Sequence, residues 1–151
     1  METFGSIIDK ICILERRISE LKKQDKNYYH LYNQYGWLLK ALGDYLVDSF
    51  DGKRPFTFAK NKLYDNDINI EDDISLLKSI ERLNIYNNTL WDLEDKRRDK
   101  SLSAEERLEA ADNVANYNKL RNDAMDKIDE NIEKAASCSH YKFYLEKEGN
   151  Q

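Results

Sequence analysis

Apolar residues recur at alternating steps of three and four along most of this chain, and in two stretches the stripe turns polar partway along. A period near 3.6 brings such positions onto one face, so the pattern calls for amphipathic helices. In Ile74–Arg98, Leu76, Ile80, Leu83 and Leu90 keep the rhythm, while Asn87 and Glu94 take the intervening seam positions. At ~100° per residue, Asn84, Trp91, Asp95 and Arg98 fall within about 60° of that stripe, and Asn88 lies at its edge. Asp72 or Asp73 is expected to cap this helix, because acidic side chains suit its positive end.

Three further segments share the rhythm. Ile7, Ile11, Leu14, Ile18 and Leu21 form a first stripe, widened by Ile8 and Cys12, and the polar run Lys22–Asn27 predicts a turn. Tyr28, Tyr32, Tyr35, Leu39, Leu42 and Leu46 form a second, expected to line the core because tyrosines at this spacing bury their rings. Phe50-Asp51-Gly52 closes it, glycine easing the backbone at a helix end. Ser103-Ala104-Glu105-Glu106 is a capping-box pattern that starts the last helix at Ala104. Its seam reads Leu108, Ala111, Ala115, Asn118, Asn122, Met125, Asp129 and Ile132. Residues 53–69 show no period and read as an irregular loop, pinned by Phe56 and Phe58 or supplying Lys53, Arg54, Lys60 and Lys62 to an anion. Residues 136–151 alternate in polarity and read as a short extended tail.

The expectation is one all-α domain over 1–151: a bundle of four principal helical segments, its long helices antiparallel, with one loop insertion. With one proline and five glycines, few residues break long helices, and 40% hydrophobic content suffices for a core. A net charge of −5 argues against general nucleic-acid binding, which needs a basic face. No apolar run approaches the ~18 residues of a membrane span, and the first residues lack a signal-peptide pattern. A cytoplasmic protein is expected, with Cys12 and Cys138 as reduced thiols. His30 and His140 lie in no cluster, and no nucleophile elbow, phosphate-binding glycine loop or zinc-binding helix motif is present.

A turn near Ser101 makes the last two helices an antiparallel hairpin in which facing residue numbers sum to about 203. Asn84 and Asn88 then face the neighbourhood of Asn118, Arg121 and Asn122, and Glu94, Asp95 and Arg98 come near Arg107 and Leu108. A buried amide without a partner costs on the order of 1–3 kcal/mol, so these groups bond one another, water or a ligand. They are either a register-fixing network or a binding site. Glu94, Asp95 and Asp129 could together hold a divalent metal, although adjacent carboxylates on a helix splay apart. No metal or other cofactor is assigned.

Three blocks carry a resemblance: Gly5-Ser-Ile-Ile-Asp-Lys-Ile-Cys-Ile-Leu, Asn88-Thr-Leu-Trp-Asp-Leu-Glu-Asp-Lys-Arg-Arg, and Asn118-Lys-Leu-Arg-Asn-Asp-Ala-Met-Asp-Lys-Ile-Asp. Together they resemble a set of uncharacterised bacterial and phage helical proteins, a domain of unknown function with some members encoded near glycosyltransferase genes. Ser6 departs from the pattern, standing where an acidic residue is expected. The resemblance implies a helical fold and a shared polar site around Trp91, Glu94, Asp95, Asn118, Arg121, Asn122 and Asp123. It brings no activity with it.

The leading functional expectation is a non-catalytic binding or adaptor protein without catalytic residues. Its site would be Asn84, Asn87, Asn88, Trp91, Glu94, Asp95, Arg98, Asn118, Arg121 and Asn122. The partner would be another protein or an anionic small molecule such as a sugar nucleotide, and self-association stays open. The alternatives are a metal-dependent enzyme on nucleotides or nucleotide sugars, with Glu94 or Asp95 as ligand or base and Arg121 on phosphate, and a phage or host-interaction factor.

Overall fold

The structure is a computed structural model in which residues 2–53 and 75–149 are described, 137–149 by backbone alone. Four helices follow one another: α1 (Phe4–Lys23), α2 (Tyr29–Phe50), α3 (Leu76–Arg98) and α4 (Ala104–Gly149). The protein is an all-α bundle, with no strand among the described residues. None of the helices, over the described residues, is long and apolar enough to cross a membrane.

Side chains cap the starts of α1, α3 and α4. Thr3 caps α1: its hydroxyl accepts from Ser6 N at 3.2 Å, while Ser6 Oγ accepts from Thr3 N at 3.0 Å. Ser6 thus plays the part that Glu or Gln plays in the usual capping box, which accounts for a hydroxyl where an acid was expected. Ser75 caps α3 by accepting from Lys78 N at 3.2 Å. This corrects the assignment of the cap to Asp72 or Asp73, which lie outside the described residues with Ile74. At α4, Ser103 and Glu106 bond reciprocally as their spacing predicts, at 2.8 and 3.1 Å. Gly52, at φ 69, ends α2 in the left-handed region that glycine enters freely.

α3 and α4 form the antiparallel hairpin, and α1 packs against both as well as against α2. The pairing rule holds: the Tyr86 and Tyr117 rings sit edge to face with centroids 6.0 Å apart. The main core joins Phe4, Ile7 and Ile11 of α1 to Tyr45, Leu83, Ala124, Met125, Ile128 and Ile132, while Leu14, Ile18 and Leu31 make a smaller cluster. Burying each such aliphatic side chain contributes about 1.5–3 kcal/mol. α1 is therefore the central element, although its sequence is the least unusual.

Three expectations are corrected. The segment from residue 136 is not an extended tail, because α4 continues to Gly149; no proline or glycine interrupts it before then, so nothing stops helix propagation. In α4 the expected seam holds for Met125, Asp129 and Ile132, whereas Leu108 is 64% exposed, Ala115 is also exposed and Ala110 is buried instead. On α2 the buried residues are Leu31, Tyr45 and Ser49, and Tyr32 and Leu39 face out. α2 carries two apolar stripes and packs through one of them.

The irregular loop lies almost entirely outside the described residues, and with it Phe56, Phe58 and three of the expected anion-binding residues, Arg54, Lys60 and Lys62. Lys53 is described, with its Nζ 3.4 Å from an Asp51 carboxylate oxygen.

A candidate polar cleft between α1, α3 and α4

A carboxylate from α1 closes the polar seam of the hairpin. Asp9, 5% exposed, accepts hydrogen bonds on Oδ1 from Asn87 Nδ2 and from Arg121 Nε, each at 2.8 Å, and on Oδ2 from Arg121 Nη2. The two Arg121 bonds are the bidentate fork–fork pairing that favours arginine over lysine. Hydrogen bonding to Asp9 holds the Arg121 guanidinium above even its ordinary pKa. Asn87 and Arg121, rather than Asn84 or Asn88 and Arg121, are thus brought together, and through a residue that sequence reasoning did not single out. The signal was present, since Asp9 sits within the Gly5–Leu14 block that carried the resemblance.

Above this network opens a cleft of about 310 Å³ lined by Ile13, Asn87, Leu90, Trp91, Glu94, Asp95, Arg98, Asn118 and Arg121. Ile13, Leu90 and Trp91 give it an apolar wall, and the others give it amide, carboxylate and guanidinium groups. Glu94 is already engaged, with Arg97 Nη2 at 2.8 Å and Arg98 Nη2 at 3.6 Å. Asp95 and Asn118 have no hydrogen-bond or ion-pair partner among the described residues. Such a mixture of a flat aromatic, aliphatic contacts and a few converging polar groups is what small-molecule sites use.

The remaining expected residues go elsewhere. Asn84 and Asn88 do not line the cleft and are bonded to each other: Asn88 Nδ2 donates to the Asn84 carbonyl at 2.9 Å. They line a recess of about 280 Å³ with Cys12, Glu15, Arg16, Ser19 and Lys23. Arg16 ties this recess down, donating to Asn88 Oδ1 at 3.2 Å and Asp92 Oδ1 at 2.8 Å with its guanidinium 5.8 Å from the Trp91 ring centre. Asn122 is half-buried on α4 and does not line the cleft. Asp123 lines a tight gap with Ser79, Arg82 and Tyr86. A roomier recess of about 580 Å³ lies between α1 and α2, walled by Ile13, Leu14, Trp37 and Leu38 with Lys10, Arg17 and Gln34 at its rim. Its walls are mainly apolar, so it offers less for orienting a ligand.

The third carboxylate of the metal alternative is far away. Asp129 is buried at the start of α1, where it accepts from Gly5 N at 2.7 Å. Glu94 is level with residue ~109 of α4, and twenty residues at ~1.5 Å each put Asp129 roughly 30 Å further along. Among the described residues no three His, Cys, Asp or Glu side chains are grouped to hold a metal ion. Burial pushes the Asp129 pKa up, against the lowering effect of its bonds from Gly5 and Thr3.

The fold and cleft define a helical protein with a polar site between packed helices. Residues 77–147 match the model of a family described as a protein of unknown function, DUF4254. The match spans nearly all of α3 and α4, just under half of the chain, and bears out the resemblance to an uncharacterised family over its second and third blocks. No curated protein and no solved structure matches the chain.

Proposed function

We propose that the chain is a non-catalytic binding protein whose α1/α3/α4 cleft takes a small polar molecule. The observation that carries this reading is the convergence of Trp91, Asp95, Arg98 and Asn118 on one open cleft whose base is fixed by the Asp9–Arg121 pair. Trp91 offers a flat face to a sugar or base ring, and Asn118 and Asp95 offer unspent hydrogen-bonding groups. An anionic group would meet Arg98, which is 70% exposed and only loosely held by Glu94. A sugar nucleotide combines these features. The charges favour binding over catalysis: Arg121 and Glu94 already have partners, which suits holding a ligand better than moving protons or phosphoryl groups.

The test is thermal-shift screening of the full chain against sugars, nucleotides and sugar nucleotides, since a ligand at a hundred times its Kd stabilises by about 2.7 kcal/mol. The expected result is a shift that Trp91→Ala and Asn118→Ala abolish and Asn84→Ala keeps. A shift surviving Trp91→Ala, or none with any compound, overturns the reading.

A further inference from the structure

The second apolar stripe of α2 has no packing partner among the described residues. Tyr32, Gly36, Leu39, Gly43, Val47 and Phe50 follow at steps of three and four, and at ~100° per residue they fall within an arc of about 80°. The four larger side chains are 41–58% exposed. α2 packs on α1 and α4 through its opposite side and does not pack on α3. Glycine in the middle of an exposed helix weakens it relative to alanine. Nothing among the described residues requires it here, because a Cβ added at Gly36 or Gly43 meets none of their atoms within 4 Å.

The stripe is self-complementary. About a two-fold axis at the level of Ala41, an antiparallel second copy of α2 sets Leu39 against Gly43, Gly36 against Val47, and Tyr32 against Phe50. Each glycine receives a branched aliphatic side chain, and the aromatics close both ends. Lys40 and Asp44, which pair at 2.6 Å within one chain, flank the stripe on one side. The same axis brings the Lys40 of each copy beside the Asp44 of the other. Isologous contacts demand this mirrored arrangement of large against small and plus against minus, and glycines let two helices approach below the usual 8–10 Å.

We infer that the exposed face of α2 is a homodimer interface, formed antiparallel about Ala41. It lies roughly 120° around the helix from Trp37 and so leaves the recess between α1 and α2 open. Sedimentation equilibrium of the full chain from about 1 µM to about 1 mM should fit a monomer–dimer equilibrium. Gly43→Lys sets a long cationic side chain against Leu39 of the other copy at both symmetric positions beside the axis, and should raise the dissociation constant at least about ten-fold. In dilute solution the same change should keep or raise the unfolding temperature, since lysine is the better helix former. Lys40→Asp and Asp44→Lys should each weaken the dimer, and together restore it. A chain that stays monomeric throughout, a dimer indifferent to Gly43→Lys, or one untouched by the charge reversals overturns the inference.

Discussion

One carboxylate oxygen, Asp9 Oδ1, receives hydrogen bonds from Asn87 and Arg121 at the same 2.8 Å, so a single residue of α1 holds α3 and α4 in place. Removing one partner of a buried pair leaves the other charge uncompensated, which typically costs 3–5 kcal/mol. Arg121 keeps 27% of its side chain exposed, so Asp9→Ala is expected to cost about 2–3 kcal/mol, water recovering part of the loss. Replacing both Asp9 and Arg121 by leucine should cost less than Asp9→Ala alone, because no unpaired charge is then buried. Urea unfolding of the singles and the double checks this. An Asp9→Ala variant as stable as the parent would remove the network from any structural role.

Gly5 is required by proximity rather than by turn geometry. A Cβ there would lie 2.5 Å from the Met125 carbonyl oxygen and 3.1 Å from its carbon, both backbone atoms that cannot swing aside. Gly5→Ala should push α1 off α4 and cost about 2 kcal/mol, lowering Tm by roughly 4–8 °C. Calorimetry of the variant decides it, and an unchanged Tm would mean that α1 shifts freely.

Asp129 should shape the pH dependence of stability. Its folded pKa is raised above the ordinary carboxylate value by burial. The folded form therefore binds the proton more tightly than the unfolded one. This contribution is fully present below the unfolded pKa of about 3.9 and is lost as pH rises through the folded value. Asp129→Asn keeps an oxygen to accept from Gly5 and Thr3 without the charge. Urea midpoints of variant minus parent should become more positive from about pH 4 to about pH 7; a difference constant with pH would contradict this.

Cys12 should be inert while the protein is folded. Burial, with the Glu15 and Asp9 carboxylates adding to it, pushes its thiol pKa up to about 11, and only the thiolate reacts. Alkylation near neutral pH, followed by peptide mapping, should label Cys12 roughly 100-fold more slowly in native than in denatured protein. Equal rates would show that the core opens readily at α1.

The helices and the hairpin register were legible because both are local. The three-four rhythm reports which face is apolar, and a five-residue connection leaves α3 and α4 one alignment, so Tyr86 meets Tyr117. The role of Asp9 was hidden because long stretches of chain separate α1 from the hairpin, and no short loop fixes their register. It took Asn87 and Arg121 converging on one carboxylate to show that the polar seam points at α1 rather than only across the hairpin. The split between Asn87 and its neighbours Asn84 and Asn88 has the same origin: helix periodicity put all three near one stripe, but which edge α1 covers depends on tertiary docking. On α2 two apolar stripes compete, and nothing local says which one docks.

The first helix is joined to the last by bonds spanning 112 residues for Asp9–Arg121 and 124 for Gly5–Asp129. On a ribosome, α1 emerges long before either anchor, so Phe4, Ile7 and Ile11 must wait for their α4 neighbours until that helix has been made. Contacts so distant along the chain close late and slow the final step of folding. That interval is when the nascent chain is most open to mispairing and most in need of a chaperone.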